Sequence, residues 1–115
     1  MCGINGLINK SSQHIAEPGL RQLKSSLSLM KARGPNAQAS CQGPGWVLGH
    51  TRLAIIDLAG GAQPMQDAAT GVTLSYNGEI YNYLTLRHEL KLLGHSFCSS
   101  SDTEVLLRSY LQWGR

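Results

Sequence analysis

The sequence predicts an α+β fold, with short strands layered under helices that pack outside them. Two observations carry this. Leucines and a methionine recur at helical spacing in three separate stretches, at Leu20 to Met30, Leu84 to Leu93 and Val105 to Leu111. Between and before them lie short apolar runs bounded by glycine and polar turns, at Gly3 to Ile8, Trp46 to Leu48 and Val72 to Tyr76. No internal repeat and no low-complexity segment breaks this alternation.

In chain order, Gly3 to Ile8 reads as a short buried strand. Leu20, Leu23, Leu27 and Met30 set a helix from Pro18 to Ala32; Pro18 suits its first turn and Gly34-Pro35 stops it. Trp46-Val47-Leu48 and Leu53-Ala54-Ile55-Ile56 read as two strands joined through Gly49-His50-Thr51-Arg52, and Ala59 to Ala62 as a loop. Val72 to Tyr76 is a strand entering an Asn77-Gly78 turn, a hairpin-like signal that also permits positive φ. Leu84, Leu86, Leu90 and Leu93 form a second helix ended by Gly94. Ser101-x-x-Glu104 is a capping box that opens a third helix through Val105, Leu107 and Leu111.

At 115 residues the chain holds one domain at most, and its 42% hydrophobic content is that of a globular protein. The net charge of +3 is spread over scattered Lys and Arg, so no nucleic-acid footprint is expected. No apolar run is long enough for a bilayer, so no membrane partner is expected either. Asn5, Gly6, Asn9 and Lys10 interrupt any signal-peptide core. Cys2, Cys41 and Cys98 are odd in number, with no Cys-x-x-Cys or His-x-x-x-His spacing, so no metal site is expected. A reduced, cytoplasmic compartment fits this cysteine usage.

The chain opens Met1-Cys2-Gly3-Ile4. Removal of Met1 would leave Cys2 with its thiol and a free α-amine on one carbon. A thiolate is a strong nucleophile, and an α-amine titrates near ~7.7–8.0 and so serves as a base at neutral pH. One residue could then carry both roles. Taken alone, a cysteine at position 2 is far more often inert than catalytic.

Further blocks follow in order: Arg33-Gly34-Pro35, Gly49-His50-Thr51-Arg52-Leu53-Ala54-Ile55-Ile56-Asp57, Gln63-Pro64-Met65, Asn77-Gly78-Glu79-Ile80-Tyr81-Asn82 and Ser101-Asp102-Thr103-Glu104. With Cys2-Gly3-Ile4 they resemble the class-II, N-terminal-nucleophile glutamine amidotransferases. Within that class the chain is most similar to the N-terminal glutaminase part of glutamine-hydrolysing asparagine synthetase. The resemblance implies the four-layer αββα sandwich of the Ntn-hydrolase fold, with residues 1–115 as the N-terminal part of the glutaminase domain and no synthetase domain in this chain. Asn36 stands where the family usually has Asp, which touches the ordering of one loop and not the nucleophile.

Hydrolysis of a glutamine side chain needs a nucleophile, donors for the oxyanion, and groups that read the α-carboxylate and α-ammonium. Cys2 is the candidate nucleophile. Asn77 and Gly78 are the candidate oxyanion donors, a side-chain amide beside an unscreened backbone N–H, although Asn-Gly alone is usually an ordinary turn. Arg52 is the candidate α-carboxylate clamp, since its planar fork meets a carboxylate bidentately; a lone Arg more often sits at a surface. Glu79 and Asp102 are candidates for the α-ammonium, with helix capping the plainer role for Asp102. The resemblance matches Arg52, Asn77, Gly78, Glu79 and Asp102 to the family's glutamine pocket and adds the backbone of Leu53 and Ile55 to its lining.

A triad built on His14, His50, His88 or His95 is disfavoured because the Cys2 amine already fills the base role. Ser99-Ser100-Ser101 reads as a capping loop, not a nucleophile. The resemblance implies no cofactor in this chain. It places ATP and Mg in the synthetase domain, with aspartate as the acceptor activated there. It implies as partners L-glutamine, the remainder of the glutaminase domain and a synthetase domain, fused or separate, and leaves room for a homodimer of the full enzyme. The same glutaminase serving an amino-sugar or cell-envelope precursor is the nearest alternative. A non-catalytic truncated fragment is the alternative from outside enzymology.

Overall fold

The computed structural model describes residues 1–11, 13–53 and 60–114. Its elements follow the order β1 (Gly3–Ile8), α1 (Glu17–Leu29), β2 (Ala37–Gly43), β3 (Trp46–Arg52), β4 (Met65–Gln66), β5 (Thr73–Leu74), α2 (Tyr83–Leu92) and α3 (Asp102–Trp113). The fold is α+β with antiparallel sheets. One sheet has three strands in the order β1-β3-β2, and β4 pairs with β5 in a separate two-stranded ribbon.

Alternation along β1 turns Gly3, Asn5 and Leu7 to one face and Ile4, Gly6 and Ile8 to the other. Helix α1 covers the first face. Leu23 and Leu27 meet Val47 there, with Leu7, Ile15, Leu20 and Met30 packed around them. The Asn5 amide donates to the Ser26 hydroxyl and to the Leu23 carbonyl at 3.2 Å, so the helix is pinned to the strand by polar contacts as well. The other face is open: Ile4 is 41% and Ile8 82% exposed, so β1 is buried on one side only, not throughout.

Helix α1 ends at Leu29, three residues before the expected Ala32. Met30 and Lys31 make tightened bonds, from Met30 N–H to Leu27 O (3.1 Å) and from Lys31 N–H to Ser28 O (3.2 Å), which close the helix into a turn. The chain then runs through Gly34, where a Cβ would land on the Thr51–Arg52 peptide. The glycine of Arg-Gly-Pro is thus required by close approach of two backbones. Pro35 bridges Arg52, and Asn36 N–H donates to Arg52 O at 3.0 Å.

Two strand expectations are corrected. Gly49 to Arg52 is not a linker but the second half of β3, the central strand. The polar residues that interrupt its apolar pattern are buried with partners: Thr51 is fully buried and His50 1% exposed. Thr51 Oγ1 accepts from Gly3 N–H at 3.1 Å and donates to Met30 O at 3.4 Å. Strand β2 has no counterpart in the sequence reading, because its exposed, largely polar residues carry no apolar signal; pairing with β3 alone makes it a strand. Of the Leu53–Ile56 strand expected next, residues 54–56 lie outside the described residues.

Asn77-Gly78 closes no hairpin. The β4–β5 ribbon turns earlier, between Gln66 and Thr73, where Gly71 takes φ 73° and Asp67 accepts from Thr70 N–H (2.9 Å) and Oγ1 (2.7 Å). Gly78 does not adopt positive φ. A Cβ there would meet the Tyr76 ring and hydroxyl, so a side chain at this position requires the Tyr76 ring to shift.

The second and third helices pack on each other, and α3 packs on the β4–β5 ribbon. Leu90, Val105 and Leu107 are buried there. Helix α2 ends as expected at Gly94, φ 96°, with His95 N–H to Leu90 O (2.9 Å) and Gly94 N–H to Lys91 O (3.1 Å) forming a Schellman cap. Helix α3 is capped by Ser101, whose hydroxyl accepts from Glu104 N–H at 3.3 Å. The reciprocal half of the box is altered. Glu104 reaches past Ser101 to accept from Cys98 N–H (2.9 Å), Ser99 N–H (2.7 Å) and Ser99 Oγ (2.6 Å). Arg108 then joins Glu104 (3.5 Å) to Asp67 (2.6 Å), tying α3 to the β4–β5 turn. Among the described residues no helix is long and apolar enough to cross a membrane.

Candidate active site

The N-terminus, the end of β3, the segment after β5 and the start of α3 meet at one cleft of about 240 Å³. Cys2, Arg52, Leu53, Asn77, Gly78, Glu79 and Asp102 all line it. These residues are up to a hundred positions apart, so only the fold brings them together. Ile55, the remaining candidate, lies outside the described residues.

Cys2 stands one residue before β1, whose pairing of Gly3 with Thr51 carries the thiol to the end of β3. Its sulfur takes the Leu53 N–H at 3.2 Å, and its S–H faces the Leu53 carbonyl at 3.7 Å. The Cys2 carbonyl accepts from Arg33 Nε at 3.4 Å. The half-buried nucleophile candidate is thus held on its side-chain and main-chain sides by two different loops. Leu53 enters the site through its backbone.

Arg52 closes β3 and is only 8% exposed. Two residues before it, the buried His50 ring shares a 2.9 Å hydrogen bond between Nδ1 and Ser75 Oγ. Burial, and then the Arg52 charge, lower the His50 pKa below its ordinary 6.5. The imidazole meets Ser75 through Nδ1, and His50 does not line the cleft.

Across the cleft, Asn77, Gly78 and Glu79 are exposed on an extended segment between β5 and α2. Tyr76 lies against Gly78. Burial, then the charges of Asp102 and Glu79, raise the Tyr76 pKa above 10, so the phenol stays protonated. Asp102 is the first residue of α3 and 7% exposed. Its Oδ2 accepts from Ile80 N–H at 3.0 Å, which joins the helix start to the residue after Glu79. Its role is therefore not capping; Ser101 does that. Asp102 and Glu79 put two carboxylates in one cleft beside the Arg52 cation, a set able to read both charges of an amino acid.

Sequence reasoning assigned no site role to Gln63, Tyr76, Tyr81 or Thr103, all of which line the cleft. Gln63 stood in a noted block, Gln63-Pro64-Met65, and that block was the available signal. Among the described residues no group of three or more His, Cys, Asp or Glu is placed to hold a metal ion.

The glutamine amidotransferase domain model matches residues 1–115. The chain is 42% identical over 116 residues to asparagine synthetase [glutamine-hydrolyzing] 3 of Bacillus subtilis, covering 98% of this chain and 18% of that protein. It is 38% identical over 114 residues to a probable asparagine synthetase [glutamine-hydrolyzing] of Dictyostelium discoideum, with 96% and 20% covered. It is 39% identical over 114 residues to asparagine synthetase [glutamine-hydrolyzing] of Asparagus officinalis, with 99% and 19% covered. The chain therefore spans about a fifth of the length of these relatives. With the whole chain matched, it belongs to the glutamine amidotransferase domain family.

Proposed function

We propose that this chain hydrolyses the side-chain amide of L-glutamine to glutamate and ammonia, with Cys2 as nucleophile. The observation that carries the proposal is the convergence of the Cys2 sulfur with Arg52, Asn77, Gly78, Glu79 and Asp102 on one cleft. With Met1 removed, the Cys2 amine takes the thiol proton as sulfur attacks the amide carbon. The oxyanion of the tetrahedral intermediate is met by the Asn77 side-chain N–H and the Gly78 backbone N–H. The amine returns the proton to the leaving nitrogen, and ammonia departs from a γ-glutamyl thioester. Water, deprotonated by the same amine, adds to the thioester carbon and expels the thiolate, which leaves glutamate. Arg52 holds the α-carboxylate; Glu79 and Asp102 hold the α-ammonium; the backbone of Leu53 adds to the pocket wall.

The relatives' names support a larger reading: the ammonia serves asparagine synthesis in a synthetase domain. The open β1 face, with Ile4 and Ile8 exposed, supports a second sheet packed there, as in an αββα sandwich. The unpaired state of Cys2, Cys41 and Cys98 suits a cytoplasmic setting. The test is glutamate release from glutamine. Cys2→Ala abolishes it, while Cys41→Ala and Cys98→Ala retain it, because neither of those cysteines lines the cleft. Hydrolysis that survives Cys2→Ala ends the proposal.

A further inference from the structure

Gln63 sits between the two walls of the cleft, and its single amide group touches both. Its Oε1 accepts from the Tyr76 backbone N–H at 2.6 Å, one residue before Asn77-Gly78. Its Nε2 donates to Thr103 Oγ1 at 3.2 Å, one residue after Asp102. Thr103 is 4% exposed, and Gln63 is itself half-buried along the cleft. The two hydrogen bonds fix which way the amide points, since only oxygen can accept from Tyr76. The two near-isosteres each fall short. Glutamate would offer two acceptors and add a negative charge near Asp102 and Glu79. Methionine would fill the space and offer neither bond.

We infer that Gln63 is a positioning residue that joins the oxyanion segment at Tyr76-Asn77-Gly78 to the start of α3 at Asp102-Thr103. The inference rests on the glutaminase reading above. Oxyanion donors must lie at hydrogen-bonding distance from an atom that becomes charged only in the transition state, and they must be held there beforehand. Asn77 and Gly78 are exposed and lie outside any strand, so their placement depends on anchors beside them. Gln63 supplies one at Tyr76, and it ties that anchor to the helix bearing the ammonium-site carboxylate.

The two arms act on different kinetic constants. Gln63→Met cuts both arms: it releases the oxyanion segment and lowers kcat for glutamine hydrolysis roughly 10- to 100-fold, the range for stranding a buried donor, and it raises KM as loss of the Thr103 arm does. Thr103→Val cuts only the arm to α3 and raises KM by roughly 2- to 10-fold with kcat nearly unchanged. Thr103→Ser keeps the hydroxyl and behaves as wild type. In the double variant the KM effect of Thr103→Val vanishes, because its partner is already gone. Circular-dichroism melts confirm that each variant is folded at the assay temperature. A merely structural Gln63 would lower the melting temperature and leave both constants of the folded enzyme unchanged. The inference is overturned if folded Gln63→Met keeps wild-type kcat, or if the two substitutions act independently. Should Gln63→Met not fold, the Thr103 pair decides: equal KM values for Thr103→Val and Thr103→Ser overturn the link. All variants are made in the chain joined to the remainder of the glutaminase domain; wild-type protein of that form that hydrolyses no glutamine overturns the glutaminase reading itself, a result seen before any variant is compared.

Discussion

The Cys2 sulfur lies 3.2 Å from the Leu53 backbone nitrogen, so the second residue of the chain is held by the residue that follows β3. This contact sets the thiol beside Arg52, the proposed carboxylate clamp. The antiparallel register of β1 on β3 fixes the pair, because Gly3 opposite Thr51 leaves Cys2 beside the end of the central strand.

The proposed mechanism requires that the form that hydrolyses glutamine begin at Cys2. While Met1 is attached, the Cys2 nitrogen is a peptide nitrogen and no base. Intact-mass measurement of active protein is expected to show Met1 absent, and a variant that blocks its removal is expected to lose turnover. Full activity from protein retaining Met1 would refute the amine-base mechanism.

The proposed mechanism assigns Arg52 and Asn77 to different stages. Arg52→Lys replaces a fork with a point charge and raises KM for glutamine by about tenfold, with a smaller effect on kcat. Asn77→Ala lowers kcat by about 10²–10³-fold, the range seen for loss of one oxyanion donor. Steady-state kinetics on both variants is the check. Effects confined to KM at both positions would show that Asn77 is not an oxyanion donor.

His50 makes the fold sensitive to mild acid. Burial and the Arg52 charge lower its pKa from 6.5, so the unfolded chain takes up the proton first. The stability that His50 contributes is fully present above pH 6.5 and lost as pH falls through the folded value. His50→Asn keeps a polar atom near Ser75 and does not titrate. Thermal melts from pH 7.5 down to pH 5 are expected to show a gap between wild type and His50→Asn that changes with pH. A constant gap would refute this.

Glu104 acts in stronger acid. Burial alone would raise its pKa; the Ser99 hydroxyl, the Cys98 and Ser99 amides and then Arg108 outweigh burial and lower it below 4.5. Its contribution is present above pH 4.5 and lost as pH falls through the folded value. Glu104→Gln is expected to cost roughly 1–3 kcal/mol at pH 7, the range for hydrogen bonds to a charged group. It is also expected to flatten the melting curve's dependence on pH below 4.5. Unchanged acid sensitivity in Glu104→Gln would show that another carboxylate dominates.

Local signals written in the chain were reliable where the physics is local. The helical spacing from Leu20 to Met30, the Gly94 stop and the Ser101 cap all act within a few residues, and each appears in the structure. The ordered blocks around Cys2, Arg52, Asn77 and Asp102 were legible for the same reason: chemistry needs particular side chains, and side chains are the sequence. Whatever depends on a distant partner was not legible. Strand β2 exists because β3 offers it a ladder, and in the polar half of β3 Gly3 and Met30 satisfy the Thr51 hydroxyl while Ser75 meets Nδ1 of His50. Gly78 lies against the Tyr76 ring and takes no positive φ, a setting that the Asn-Gly pair does not foretell. Gln63 read as part of a block with no task, since neither Tyr76 nor Thr103 can be paired with it by spacing. The sequence by itself determined which groups are available and which stretches are helical. Tertiary structure decided which groups share the cleft, because hydrogen-bond geometry acts over about 3 Å of space and takes no account of separation along the chain.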